Sequence, residues 1–242
     1  SVLLVLVDAS NTHLENYEQI IRDSSGKAVP ILKNIVSIIL KEKQYYLEII
    51  VDITKRKQTE KKLIKQQRFE NLMLQLSNKF INLNMEQIDN GIVNALMNIS
   101  TFAGAETAAI ILFDEGEKSL SLLNAWYADN RKVDYGAYSS IKVSDYQWFI
   151  KNLFNNDYLI INSLDDIPVT EINERNFFIA HKFKSMISVP IRFSDKVLGF
   201  ANFSSLTYEH EWDSDTINLF KIVGDLLANT LSYCIRDLIC RC

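Results

Sequence analysis

Residues 49–63, Ile-Ile-Val-Asp-Ile-Thr-Lys-Arg-Lys-Gln-Thr-Glu-Lys-Lys-Leu, pass from a strand pattern to a helix pattern with no loop between them. Ile49, Ile50, Val51 and Ile53 are β-branched and apolar, the side chains that suit a packed, pleated strand. Thr54 can cap a helix, because a Thr oxygen satisfies a free N–H of the first turn. From Lys55 onward the run is rich in Lys, Arg, Gln and Glu, with neither Gly nor Pro to stop a helix. A strand feeding straight into a helix can pass a conformational change along a chain. It transmits and does not by itself catalyse.

Asp52, Ile53, Thr54, Arg56 and Lys57 match, position for position, the D-I-T-x-R-K signature that ends PAS sensor domains and begins their signalling helix. The resemblance implies a relay in which Asp52 and Arg56 clasp the strand to the helix start at Thr54. The plainer reading is that Asp52 only places negative charge at a helix N-terminus. Upstream, residues 17–53 read as a three-stranded meander. Tyr17 to Asp23 is followed by a turn at 24–27 in which Gly26 supplies positive φ. Val29 to Leu40, a polar turn at 41–44, and Tyr45 to Ile53 complete it. Taken as PAS, residues 1–53 are only the C-terminal strands, and the family's first strands are expected before Ser1. Missing strands would leave a sheet edge open. Ser1 to Val7 reads as a strand rather than a signal peptide, residues 1–16 have no clear place in the fold, and the absence of Met at position 1 suggests a fragment.

Composition excludes several classes. With 48% hydrophobic and 23% charged residues the chain is ordinary globular material, and 7 Gly and 3 Pro argue against a long disordered linker. No apolar run approaches the ~18 residues of a membrane-spanning helix, so a cytoplasmic location is expected. A net charge of −4 does not point to nucleic acid. Residues 54–68 alone carry +6, so the remainder sums to −10. That basic stretch lacks an apolar face and reads as a solvated linker helix. Cys234, Cys240 and Cys242 crowd the C-terminus at spacings that neither gather them on one helix face nor match a zinc pattern. No metal site is expected.

Beyond the linker, Phe69, Met73, Leu76, Phe80 and Leu83 are spaced 4, 3, 4 and 3, a heptad seam. It suits a parallel homodimer, or packing on its own domain, or both. Residues 85–235 then form one α+β unit. A helix over Met85–Phe102 ends at Gly104, and strands at 105–114 and 119–127 make a hairpin. Helix 145–154, strand 158–161 and helix 170–182 follow; a second hairpin spans 184–193 and 196–204. A long helix runs from Ser214 to about Arg236.

Several segments in this order resemble GAF domains of bacterial sensor histidine kinases and diguanylate cyclases. They are Phe102-Ala103-Gly104-Ala105-Glu106, Trp148-Phe149 and Lys184 to Ile191, then Val197-Leu198-Gly199-Phe200 and Trp212-Asp213-Ser214-Asp215. The expected architecture is thus a partial PAS meander (1–53), a signalling helix (54–84) and an antiparallel-sheet GAF domain flanked by helices (85–235). Residues 236–242 would begin a linker to an output domain of the same polypeptide beyond Cys242.

Catalytic chemistry is sparse. His13, His181 and His210 are dispersed without partners, and no Ser-His-Asp or Cys-His spacing, P-loop or Rossmann fingerprint stands out. Phosphoacceptor His, ATP-binding and GGDEF or EAL-type signatures are also absent, so these residues are not expected to be an enzyme. Within the GAF resemblance, bilin-binding members attach the chromophore to a domain Cys. None lies between residues 1 and 233, so no covalent bilin is expected. The same absence argues against the free-methionine-sulfoxide reductase branch. Asn78-Lys79 is not followed by the F-x3-D-E of cyclic-nucleotide binders. The cofactor, if any, is not named by the sequence.

Alternation locates a candidate pocket. Met186, Ser188, Pro190 and Arg192 share one strand face, and Ile187, Val189, Ile191 and Phe193 the other. The second face is wholly apolar and suits helix packing. The first is mixed, as ligand pockets usually are. Phe200 and Asn202 alternate similarly, and Trp126, Trp148 and Phe149 could wall the site, although aromatics there serve equally as core. The sequence therefore describes a sensory relay whose GAF domain takes an unknown small molecule. A non-binding dimerisation spacer is the alternative, favoured if Trp148 and Phe178 fill the pocket.

Overall fold

In the computed structural model, residues 2–7, 14–82, 88–114, 116–129 and 141–240 are described. The chain divides into two compact units, Ser1–Glu70 and Asn71–Cys242.

The first unit is a four-stranded antiparallel sheet in the order β1-β4-β3-β2. Its strands are β1 (Val2–Val7), β2 (Leu14–Arg22), β3 (Ala28–Leu40) and β4 (Lys43–Asp52). The expected three-stranded meander gains β1, which pairs with β4 from Val2↔Val51 to Val7↔Tyr46. A short apolar strand shows no partner in its own sequence, which is why pairing had to be seen. Asp23 shapes the β2–β3 turn by accepting from Ser25 N (2.9 Å), Ser25 Oγ (2.6 Å) and Lys27 N (3.0 Å). Gly26 there has φ +84°. The β3–β4 connection is tighter than the polar turn expected at 41–44. Lys41 and Glu42 alone turn the chain, with φ of 49° and 64°, the left-handed pair that matches the twist of a two-residue hairpin.

Helix α1 spans Thr54–Asn82. Its cap is Asp52, not Thr54: Asp52 Oδ1 accepts from Thr54 N at 2.8 Å. The Thr54 hydroxyl and then its backbone N–H hold the Asp52 carboxyl below the ordinary aspartate range. Among the described residues Arg56 makes no ion pair with Asp52. Lys57 makes the clasp instead, reaching Glu18 on β2 at 2.6 Å. One helical residue turns the side chain about 100°, enough to point Lys57 rather than Arg56 back at the sheet. Leu76, from the seam, is already buried within one chain, as is Leu72, which the seam omitted. The Phe80 side chain and Leu83 lie outside the described residues, as do His13, Cys242 and the side chains of Cys234 and Cys240.

The second unit is built on a six-stranded antiparallel sheet in the order β7-β6-β5-β10-β9-β8. The strands are β5 (Thr107–Phe113), β6 (Ser119–Tyr127), β7 (Ile141–Lys142), β8 (Leu159–Ile161), β9 (Ser185–Phe193) and β10 (Lys196–Ser205). Helices α2 (Ile88–Ala103) and α5 (Ser214–Cys240) pack on one face, while α3 (Gln147–Asn155) and α4 (Ile172–Ala180) belong to the other side. On α2, Ile92, Ala95, Leu96 and Ile99 are buried at helical spacing. Gly104, φ +74°, ends that helix. On α5, Thr216, Leu219, Phe220, Val223 and Leu227 form the buried stripe, and Asp213 caps the helix by accepting from Thr216 N at 2.8 Å. Gly224 brings α5 close to β9, so that an added Cβ would lie 3.1 Å from Pro190 O.

Glu106 ties the start of β5 to the chain leaving β10. Its Oε2 accepts from Leu206 N (2.6 Å), Thr207 N (2.9 Å) and Ser205 Oγ (3.1 Å), and its Oε1 from Thr207 Oγ1 (2.9 Å). Desolvation pushes its pKa up, but these donors together outweigh it and hold the carboxyl below the ordinary glutamate value. A depressed folded-state pKa gives stability that is present above the unfolded pKa and lost as pH falls through the folded one. Glu106→Gln is therefore expected to lower stability at pH 7 by about 1 kcal/mol, allowing for solvent screening. Urea melts at pH 7 and below pH 4 would check this, the gap between variants closing in acid.

Candidate functional site

A cavity of about 60 Å³ lies between the sheet face opposite α2 and α5 and the segments carrying α3 and α4. Strand register decides its sheet wall. Phe200 pairs with Ile111 and Pro190, Asn202 with Ala109 and Ser188, and Met186 with Ile161. These pairs therefore share the cavity side. Ile187, Val189 and Ile191 face the other way, buried on the side of α5.

Of the sequence-derived site residues, Trp148, Phe149, Met186, Phe200 and Asn202 line the cavity. Phe149 and Phe200 meet edge to face, centroids 5.3 Å apart. Ser188 stands beside it, its hydroxyl donating to Asn202 Oδ1 at 2.6 Å while fully buried. Two assignments are corrected. Arg192 is on the expected strand face but reaches past the cavity. Its Nη2 donates to the carbonyls of Leu153 (3.0 Å), Phe154 (3.1 Å) and Asn156 (2.9 Å) at the end of α3. The last carbonyls of a helix lack intrahelical donors, and a guanidinium supplies them with opposite charge. Trp126 pairs with Ala108, which places it on the α2 side of β6, away from the cavity.

The structure adds residues that the sequence reading passed over. Tyr146 and Phe177 join Phe178, already a candidate filler, in an aromatic lining, and Glu174 brings a carboxylate into it. Glu174 sits in α4 and is only 7% exposed. Its Oε1 lies 3.5 Å from Phe149 N, a long contact for a hydrogen bond. In sequence it belongs to a polar run, Asn173 to Asn176, which gives no hint of burial. Its i+3 and i+4 neighbours Phe177 and Phe178 were the signal that it shares their face. Burial, then the charges of Asp145 and Glu174, push the Tyr146 hydroxyl pKa up. His181 is occupied structurally: Nδ1 lies 2.9 Å from Phe177 O, and its ring stacks on Phe177 at 4.0 Å.

This arrangement can enclose a few apolar atoms and present them with one carboxylate and one amide. Nothing in it assembles a nucleophile with a base. The model of the GAF domain family matches residues 94–231, more than half of the chain. The chain belongs to the GAF domain family. No curated protein matches the sequence. Solved structures share the fold at low identity. The phycoerythrobilin-bound GAF domain of a cyanobacterial phytochrome is 13% identical with a TM-score of 0.57, covering 69% of this chain and 96% of that one. A phycocyanobilin-bound GAF domain, also from a cyanobacterial phytochrome, is 12% identical with a TM-score of 0.54, covering 70% and 94%. The chromophore-binding domain of a Stigmatella aurantiaca bacteriophytochrome variant in the Pr state is 12% identical with a TM-score of 0.55, covering 90% and 74%. In the GAF domain described here the cavity is far smaller than the 300–1,000 Å³ typical of cofactor sites. Among the described residues no helix is long and apolar enough to cross a membrane.

Proposed function

We propose that this chain is the sensory and relay region of a bacterial signal-transduction protein. In this reading the four-stranded sheet is the C-terminal part of a PAS domain, and α1 is its signalling helix. The GAF domain binds a small molecule and biases an output domain in the same cytoplasmic polypeptide. The parent protein would be a sensor histidine kinase of a two-component system, dimeric through its linker helices, with a diguanylate cyclase as the second choice. The observation that carries the sensory role is the cavity, apolar but for Glu174, Tyr146 and Asn202, on a sheet whose opposite face seats α5. Asp52, Thr54 and Lys57 would carry the relay, with Arg56 left to solvent. A dimerisation spacer that binds nothing is the second reading, favoured by the small volume and by Trp148 and Phe178 occupying the walls.

Thermal shift of the whole chain against cyclic nucleotides, haem, small acids, amines and amino acids separates the two. A ligand specific to the folded state raises stability by RT ln(1 + [L]/Kd), about 2.7 kcal/mol at a hundredfold excess over Kd. A concentration-dependent shift that weakens with Asn202→Leu is expected. No shift across the library, together with a constitutive dimer, would select the spacer.

A further inference from the structure

Resting on that reading, we infer that the ligand class of the GAF cavity is a small organic cation, an alkylammonium recognised by Glu174. A carboxylate buried to 7% exposure in an apolar cavity is unfavourable unless a charge or several donors answer it. Here the answer within the chain is weak. Phe149 N is 3.5 Å away, and among the described residues no cation pairs with Glu174. The adjacent Arg175 is turned elsewhere, its Nη1 donating to Leu164 O at 2.8 Å and Ile167 O at 2.7 Å. Glu174 thus faces the cavity with acceptor capacity unspent.

The rest of the lining suits the same ligand. Trp148, Phe149, Phe178 and Phe200 line the same cavity, and aromatic side chains are the apolar groups that attract a desolvated cation. Asn202 Oδ1 is engaged by Ser188, so the carboxylate of Glu174 is left as the acceptor for an ammonium. An anionic ligand would meet Glu174 with like charge and find no guanidinium, since Arg192 and Arg175 are both committed to backbone carbonyls. A cavity of about 60 Å³ admits only a few heavy atoms, so the cation is a short-chain amine rather than a nucleotide or a tetrapyrrole.

The test is calorimetric titration of the whole chain with n-butylammonium chloride at constant ionic strength, with 1-butanol and sodium butyrate as neutral and anionic probes of matched chain length. Saturable binding of butylammonium alone is expected, weakened about 10- to 100-fold by Glu174→Gln, the range of one charge-assisted hydrogen bond. The isosteric amide removes a buried charge without changing shape, and circular dichroism would check its fold. The wild-type series is decisive even without it. Butanol or butyrate binding as tightly as butylammonium, or Glu174→Gln leaving the titration unchanged, would overturn the cation assignment while leaving a ligand-binding cavity in place. No heat with any probe would overturn the cation assignment, and the ligand-binding reading then fails only if the thermal-shift library is also silent.

Discussion

Gly199→Ala is expected to destabilise the GAF domain by about 3 kcal/mol, and in practice to reduce soluble yield. Gly199 lies on β10 where the register against β9 shifts by one residue, between Val197 and Gly199. On its other side it pairs with Leu112 of β5. A Cβ built there would lie 2.1 Å from Ile111 O, 2.8 Å from Leu112 Cα and 2.9 Å from Leu112 Cδ2. The first two are backbone atoms of a central strand, so no rotamer change relieves them. The strands must separate, breaking the ladder that carries both Ile111 and Phe200 into the cavity wall. Gly116→Ala is the matched control, because its Cβ would meet nothing nearer than Lys118 Cγ at 3.9 Å. Chemical denaturation of both variants checks the prediction, the control staying within about 0.5 kcal/mol of the parent.

Phe220→Ala is expected to cost about 3–5 kcal/mol, lowering Tm by about 10 °C or more. Phe220 and Phe203 are both fully buried and stack with centroids 4.0 Å apart and planes 16° from parallel. Trp212 packs against the same ring edge-on at 5.7 Å. Removing the Phe220 ring leaves a void bounded by the sheet and the loop into α5, neither of which can close it without moving the helix. The measurement is differential scanning calorimetry, with Phe220→Leu alongside. A larger loss for alanine than for leucine identifies the void as the cause, and equal losses would instead point to the aromatic stack.

Much of the GAF domain was legible because its strands alternate and its helices repeat. In β9, Ile187, Val189 and Ile191 declared a helix-facing side by being uniformly β-branched, and the structure buries all three. The opposite face was legible in parity but not in reach. Met186 stops at the cavity, whereas Arg192, from the same face, extends to the end of α3. Side-chain length and the location of unsatisfied carbonyls are properties of the assembled fold. Trp126 failed for another reason. Which side of β6 faces the cavity depends on its pairing with β5, and the ladder there shifts between Ile110 and Ile111. One residue of shift exchanges the faces of a strand, and no local pattern reports it. Glu174 was hidden by its polar neighbours. At the first junction, the strand-to-helix change was plain in residues 49–57, but whether Arg56 or Lys57 meets the sheet depends on helical phase.

Strand β9 serves as a partition with different tenants on its two sides. Met186 and Ser188 look toward the cavity and its immediate polar pair, while Val189 and the carbonyl of Pro190 lie against Gly224 of α5. Close-packed interiors have little compressibility, and the cleared space beside this partition holds only a few atoms. A guest larger than that space would press on its walls, and any movement of this wall would be felt by α5. In this architecture, the tightness of the fit, rather than the strength of binding, would set how far the last helix is moved.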